Sequence, residues 1–445
     1  MRVDIKSFKQ FNLMLAEIFQ EANLPEIFGC SIDSRKIRKG DIFIPIRGAR
    51  FNGNDFIQEA INNGASMVLQ EEPFEINRSG VSVIKVGNVV ETMKNIASEW
   101  RSRLDCKIIG ITGSNGKTST KEILNKIIST TKKTISSKGN YNSTIGLPMS
   151  ILSISKDDQI GILEMGANKD GEIKELSQIA KPDYGVITNI SNAHNEFFGT
   201  VQNIAKNKLE LLKSIPESGY SFINMDDPYL NISKVASKKI TYGFKGTYDY
   251  TGKLIQNMLS INDYRVPLPY KNQAIAQNYL AAYSIAKTLG IKSSIIIDSL
   301  KSNSIYPGRG SLIEKNNITY VDDTYNANFA SCLNGIKSCI NINSKRRILV
   351  LGDMHELGNE TKSEHILLGA AIDNLSENID AVFGLGKYIQ FTLDNINNNK
   401  ILIKHFKSRD LLIKKMHDYC SSGDLVYVKG SRSMQMEKII YTRKN

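Results

Sequence analysis

Nine residues, Gly110-Ile-Thr-Gly-Ser-Asn-Gly-Lys-Thr118, carry the sharpest chemistry in this 445-residue chain. A glycine-rich loop between an apolar run and an amphipathic one lets backbone N–H groups converge on phosphate oxygens. Its lysine neutralises their charge and its threonine hydroxyl reaches a magnesium ion. The flanks suit that use. Ile108, Ile109 and Ile111 read as a buried strand, and Ile123, Leu124, Ile127 and Ile128 give the next segment one apolar helical face. The spacing is not that of the standard phosphate loop, because Gly110 lies one residue too far from Gly116 for G-x-x-x-x-G-K-[ST]; the pattern T-G-x-x-G-K-T fits instead. ATP binding follows as the expectation.

Ligands of parallel α/β sheets gather beyond the carboxyl ends of the strands, so polar residues that close apolar runs come next. Ile160-Gly-Ile-Leu ends in Glu164, a hard oxygen ligand where a loop-bound magnesium sits; a strand-end glutamate also reads as half of a surface ion pair. The string Asn189-Ile-Ser-Asn-Ala-His194 places a histidine after another strand end, as a metal ligand or as a satisfied structural residue. Lys206 and Lys208 fall on different faces of the helical run from Val201 to Ser214, so only one can point inward, although both read equally well as solvated lysines. Further on, Tyr306-Pro-Gly-Arg309-Gly310 offers a guanidinium on a tight turn, suited to bidentate phosphate contact. The segment Asp322-Asp-Thr-Tyr-Asn-Ala-Asn328 is dense in donors and acceptors, as a site or as a turn. Val428-Lys-Gly-Ser-Arg432 ends a strand and opens a helix bearing Met434, Met436 and Glu437: an anion site, or a start capped by Ser431.

The elements that must position these residues alternate in type. At this length two or three domains are expected. Residues 1–85 read as a small α/β unit, with two short strands about the turn Lys39-Gly-Asp41, a helix over Asp55–Asn63 and a strand over Ser66–Gln70. Residues 86–310 alternate strand and helix, with strands at Gln159–Met165 and Tyr184–Asn189, which predicts a mostly parallel sheet covered by helices. Residues 311–445 alternate again, with strands at Arg347–Leu351, Ala381–Gly384 and Leu425–Lys429. Five cysteines form no C-x-x-C pair, so neither a zinc site nor a disulfide framework is expected. No apolar run reaches the length of a membrane span and no leader is legible, which predicts a cytoplasmic protein. The net charge is 57 minus 45, or +12, but its basic residues are dispersed, which favours small polyanionic substrates over nucleic acid.

Together these strings resemble the Mur ligases. The similarity runs nearly the whole chain: Asp33-Ser-Arg35 and Lys39-Gly-Asp41, the phosphate loop, Asn140-Tyr-Asn-Ser-Thr-Ile-Gly-Leu-Pro148, Glu164-Met-Gly-Ala-Asn168 and Asn192-Ala-His194. It continues through Gly308-Arg309, Asp322 to Asn328, Leu351-Gly-Asp-Met-His-Glu-Leu-Gly358 and Val428 to Arg432. The last three strings point to the branch that joins D-alanyl-D-alanine to UDP-N-acetylmuramoyl-tripeptide; the D-N-P-R string of the branch that adds a diamino acid or lysine is absent. The resemblance implies three α/β domains: a small N-terminal one for the UDP precursor, a central phosphate-loop ATPase domain on a parallel sheet, and a Rossmann-like C-terminal one for the incoming dipeptide. It implies an ATP-dependent amide ligation through an acyl phosphate, two magnesium ions and a monomer.

By the same resemblance Gly113, Ser114, Asn115, Gly116, Lys117, Thr118 and Ser119 cradle the phosphates, and Asn278, Arg309 and Asp323 contact the nucleotide. Thr118 and Glu164 hold one magnesium, while His194 and a carbamylated Lys208 hold the second. Tyr325, Asn326 and Asn328 line the domain interface. Ser34, Arg35 and Ser431 contact the amino-acid substrates or the uridine nucleotide. Departures from the family pattern fall at Ala274 and Ile275 before Asn278, at Asn195 after His194 and at Phe329 after Asn328.

Overall fold

The computed structural model describes residues 1–48, 51–71, 80–191, 198–230 and 234–442, and builds them on three sheets. The first sheet contains β1 (Arg2–Asp4), β2 (Gly29–Ser31), β3 (Asp41–Phe43), β4 (Ala65–Gln70) and β5 (Ser82–Lys85) in chain order, parallel except for β1 against β2. The turn at Lys39-Gly-Asp41 forms as expected, and it needs its glycine. Gly40 has φ +86°, and a Cβ there would come within 2.4 Å of the Phe28 ring. The helix expected over Asp55–Asn63 starts instead as a 3₁₀ turn, Gly53–Phe56, and becomes α-helical at Ile57–Asn62. Asn52 causes this, its side chain accepting from the Asn54 N–H at 3.2 Å and tightening the first turn.

The second sheet holds β6 (Lys107–Thr112), β7 (Thr134–Ser136), β8 (Ile160–Glu164), β9 (Tyr184–Ile187), β10 (Tyr220–Asn224), β11 (Lys238–Gly243), β12 (Tyr250–Ile255), β13 (Met258–Ile261) and β14 (Tyr264–Pro267). Their spatial order is β14-β13-β12-β11-β10-β9-β6-β8-β7. From β7 to β12 every pairing is parallel, as the alternation predicted. Strands β6, β8 and β9 are near-continuous apolar runs because both faces are covered. The antiparallel β12–β13–β14 extension was not anticipated. Its two hairpins turn over Gln256-Asn257 and Asn262-Asp263, with Gln256 and Asn262 in the left-handed region.

The third sheet holds β15 (Ser311–Lys315), β16 (Ile318–Asp322), β17 (Arg347–Gly352), β18 (Ala381–Leu385), β19 (Leu402–Phe406) and β20 (Leu425–Lys429), ordered β15-β16-β20-β17-β18-β19. All neighbours are parallel except the β15–β16 hairpin, which turns over Asn316-Asn317, both at positive φ. The expected helix after Ser431 is broken: a 3₁₀ turn at Arg432–Met434, a left-handed Gln435, then a short helix at Glu437–Tyr441. Among the described residues no helix is long and apolar enough to cross a membrane.

The three units share their cores. One apolar cluster runs from Val3 and Ile5 through Trp100 to Ile108 and Leu163; another runs from Ile109 through Tyr270 and Tyr279 to Val321 and Tyr427. Trp100 is fully buried on the helix Val89–Ser102, packs edge-on against Phe11 with centroids 5.3 Å apart, and donates from its indole N–H to the Ile154 carbonyl at 3.0 Å. Trp100→Ala leaves a cavity and an orphaned carbonyl at this joint, a loss of about 3–5 kcal/mol. Circular dichroism during urea unfolding should show the midpoint falling; an unchanged midpoint would mean that the joint contributes nothing to stability.

Candidate functional site

Strand order decides where the site lies. In the second sheet β6 sits between β9 and β8, so the chain leaves it toward one side first and the other later. A crevice opens at that switch point, beyond the carboxyl ends of the strands. Into it run the phosphate loop after β6, Glu164 at the end of β8, and Thr188 to Ser191 after β9. The third sheet has an equivalent point, where β20 is inserted between β16 and β17. The segments 323–328, 353–358 and 430–432 meet there. The two crevices face one cleft of about 650 Å³.

The phosphate loop is built from side-chain props. Gly113 has φ +146°, and a Cβ there would sit 1.9 Å from Thr188 Oγ1. Thr188 instead donates from that hydroxyl to the Asn115 carbonyl at 2.5 Å. The Ser114 N–H donates to the Asn189 carbonyl at 2.8 Å and the Asn115 N–H to Asn189 Oδ1 at 3.1 Å. These two amides frame the loop, whereas those at the start of the helix Lys117–Ile128 have no intrahelical acceptor and suit an anion. Asn278 lies against the loop: its Oδ1 would be 2.5 Å from a Cβ on Gly116 and accepts from Thr120 Oγ1 at 3.3 Å. Ser119 lines the same cleft.

Glu164 is the hub. It is 2% exposed, which rules out the surface ion pair. Thr118 Oγ1 donates to its Oε2 at 2.9 Å, Asn142 Nδ2 donates to its Oε1 at 2.9 Å, and the Lys121 ammonium lies 3.9 Å away. Lys121 is fully buried and also donates to the Ser137 carbonyl at 2.7 Å. Arg309 reaches in from the far wall, donating from Nη2 to Thr118 Oγ1 at 3.0 Å, with its guanidinium 3.6 Å from the centre of the Tyr325 ring. Among the described residues its buried Nε has no hydrogen-bond partner, so a donor remains for an anion. The Lys117 ammonium donates to the Gly113 carbonyl at 2.6 Å. Burial lowers its pKa; Glu164 opposes that shift and Arg309 adds to it.

Lys208 also lines the cleft, from the helix Val201–Lys213, at 4% exposure, while Lys206 on the same helix is exposed. Among the described residues no carboxylate pairs with it. Burial, and next to it the charge of Lys117, brings its pKa down to about 7. An amine so depressed is substantially neutral at pH 7, the form that reacts with carbon dioxide.

The C-terminal wall carries Asp323, Tyr325, Asn326 and Asn328. Asp323 Oδ2 accepts from Lys429 Nζ at 2.7 Å and from the Tyr427 hydroxyl at 2.9 Å. Asn328 does double duty: it closes a capping box with Ser331 at the start of the helix Phe329–Cys339, and its Nδ2 donates to Asn115 Oδ1 at 3.0 Å across the cleft. Phe329 takes the first helical position, where proline is ordinarily favoured, and the capping box fixes the start without it. Ala274 and Ile275 line the cleft on the helix Gln273–Thr288, which Asn272 caps by accepting from the Ile275 N–H at 3.0 Å.

Four expected residues, Gly113, Ser34, Arg35 and Ser431, lie apart from the cleft lining. Ser34 donates to Glu59 Oε2 at 2.6 Å, and Arg35 pairs with Asp33 at 2.9 Å, both beside the first sheet. Ser431 does not cap its turn; its hydroxyl accepts from the His355 N–H at 2.8 Å, behind the cleft wall. His194 and Asn195 lie outside the described residues. The sequence reading assigned no role to Asn142, Lys121, Asn189 or Lys429. Asn142 lay within a quoted string, and its position after a short strand was the available signal.

Comparison with known proteins agrees with this geometry. A model of the Mur ligase middle domain matches residues 111–286, one described as the Mur ligase, glutamate ligase domain matches 308–432, and one described as the Mur ligase family, catalytic domain matches 26–101. The chain is 32% identical to the UDP-N-acetylmuramoyl-tripeptide–D-alanyl-D-alanine ligase of Rickettsia prowazekii, over 95% of this chain and 96% of that one. To the Bacillus subtilis enzyme of the same name it is 30% identical, over 93% and 92%. Among solved structures, MurF ligase from Thermotoga maritima in complex with ADP superposes with a TM-score of 0.82 at 30% identity, covering 92% of this chain and 96% of that one. MurF from Acinetobacter baumannii gives 0.85 at 26% identity, covering 99% and 98%.

The Lys208 shift has a stability consequence. Folded, the residue releases its proton near pH 7; unfolded, it holds it to about 10.5. Between those values the unfolded chain binds more protons, so stability rises with pH across the window. Lys208→Met removes this dependence. Melting temperatures from pH 7 to 10 should therefore converge, the variant's advantage shrinking as pH rises; parallel curves would show that Lys208 is not desolvated.

Proposed function

The chain belongs to the Mur ligase family, and on that premise we infer its reaction: it uses ATP to join D-alanyl-D-alanine to UDP-N-acetylmuramoyl-tripeptide in peptidoglycan precursor synthesis. The tripeptide carboxylate attacks the γ-phosphorus, the bond to ADP breaks, and an acyl phosphate forms. The dipeptide amine, having lost a proton, attacks the acyl carbon; a C–N bond forms as the C–O bond to phosphate breaks, and phosphate leaves. Such chemistry asks the protein for positioning and charge neutralisation more than for covalent help.

The observation that carries this reading is the meeting of Thr118, Glu164 and Arg309, from three separate segments, within 3.0 Å of one hydroxyl. Lys117 and the amides of Gly116 to Ser119 hold the β- and γ-phosphates, and Arg309 turns its unpaired Nε–H to the transferred phosphoryl group. Asn278 and Asp323 contact the nucleotide. Tyr325, Asn326 and Asn328 hold the two walls together around it.

Thr118 and Glu164 are hard oxygen donors side by side, a fit for magnesium. Bound there, the ion neutralises charge on the phosphoryl oxygens. We assign a second magnesium to Lys208 as its carbamate, with His194. The depressed pKa supplies the free amine, whose nitrogen bonds carbon dioxide and releases one proton. Ser34, Arg35 and Ser431 serve the uridine nucleotide and the amino-acid substrates. The proposed division is 1–85, 86–310 and 311–445, working as a cytoplasmic monomer.

Phosphate release by the purified protein with ATP and magnesium should require both UDP-N-acetylmuramoyl-tripeptide and D-alanyl-D-alanine. Release driven by another amine would move the chain to a sister reaction of the family. Lys208→Ala should lose most activity and regain part of it with short carboxylates added; full activity without them would remove the second-metal assignment.

A further inference from the structure

Lys121 and Glu122 are neighbours on the helix Lys117–Ile128, with opposite charges in opposite surroundings. Lys121 is fully buried, whereas the Glu122 side chain is 32% exposed and lines the cleft. A buried ammonium needs acceptors for its three N–H bonds. Three oxygens stand close to it: the Ser137 carbonyl at 2.7 Å, Glu122 Oε1 at 3.1 Å and the Gly139 carbonyl at 3.3 Å. Glu164 Oε2 lies at 3.9 Å, beyond hydrogen-bonding range. Of the two carboxylates near it, the ammonium therefore meets Glu122 directly and Glu164 only at a distance.

That choice matters at Glu164. Its oxygens accept from two neutral donors, the Thr118 hydroxyl and the Asn142 amide, each at 2.9 Å. A carboxylate offers about four lone-pair sites, so both oxygens keep room for a hard cation. An ammonium bonded to the same carboxylate would occupy one of those sites and repel the cation at close range. Glu122 is placed to prevent this: it lies one helical turn beyond Thr118, on the same face. Its own charge is otherwise out of place. The cleft it lines carries Lys117, Lys208 and Arg309, and an anion among them opposes a polyanionic ligand unless a cation beside it offsets its charge. Lys121 is that cation.

We propose that Glu122 is a positioning residue for the magnesium site: it holds the Lys121 ammonium off Glu164 and so keeps the Glu164 carboxylate open to the ion. This rests on the ligase reading above, in which Thr118 and Glu164 hold magnesium. Glu122 does not touch the ion; it acts through Lys121.

Calorimetric titration with the β,γ-methylene analogue of ATP, in magnesium and again in EDTA, tests the proposal without turnover. Magnesium should tighten binding to the parent protein. Glu122→Gln, at a partly exposed position, should cut that magnesium-dependent gain by about fivefold or more, while affinity in EDTA stays within about twofold of the parent's or tightens. Adding Lys121→Gln, which keeps a donor for the Ser137 carbonyl, should restore the gain to within about twofold of the parent's. An unchanged gain in Glu122→Gln, an equal loss of affinity with and without magnesium, or a loss that persists in a double variant with the parent's circular dichroism spectrum would overturn the assignment. A parent protein that binds the analogue equally well in magnesium and in EDTA would overturn the magnesium site itself, a separate result.

Discussion

A carboxylate buried at a strand end governs the organisation of this molecule. Glu164 is almost wholly removed from water, and an ionised carboxylate in that position is unfavourable unless each oxygen is met by a donor. Two pieces of chain are fixed in meeting them: the phosphate-loop helix, through Thr118 at its start and Lys121 in its interior, and the loop after β7 through Asn142. Lys121 in turn ties the Ser137 carbonyl to the cluster. The end of the site to which magnesium is assigned and the packing of the phosphate loop are therefore one arrangement.

That arrangement also reaches across the domains. Thr118, which donates to Glu164, accepts from Arg309, and Arg309 stands on a turn between Gly308 at φ +77° and Gly310 at φ +89°. Beside that link, Asn328 Nδ2 donates to Asn115 Oδ1 across the cleft at 3.0 Å, and Tyr325 stacks on Arg309 within the far wall. All three pass through residues placed at the phosphate site. Relative motion of the C-terminal unit must therefore change the surroundings of the phosphates, and binding there must bias the position of that unit.

The sequence showed the architecture where chemistry and periodicity coincide. Apolar runs ending in Glu164, in Asp322 and in Lys429 are strands buried on both faces, so their first polar residue marks the crevice. The same rule found the loop after β6 because Ile108, Ile109 and Ile111 precede it. The rule failed where the pattern is local and polar. The β12–β14 meander alternates buried and exposed residues, and its turns are Gln-Asn and Asn-Asp, weaker signals than Asn-Gly. Asn142 and Lys121 have their roles only because distant elements bring Glu164 to them, which no spacing along the chain encodes. Ser431 reads as a cap in sequence and is a prop for His355 in space.

The arrangement of charge explains why so many uncomfortable groups sit in one place. Lys117, Lys208 and Arg309 all have pKa values pushed down by burial, and Lys117 lies close enough to both of the others to be felt electrostatically. Glu164 offsets this only in part, so crowding desolvated cations together makes the folded chain less stable. A ligand carrying several negative charges offsets this at every cation at once, so the interaction free energy that binds it is partly the repulsion stored in the folded chain. The same density of positive charge would hold product ADP and phosphate as firmly as ATP unless something changes between them. The carbamate proposed for Lys208 would make such a change, putting an anion beside Lys117 in place of an amine that is substantially neutral at pH 7.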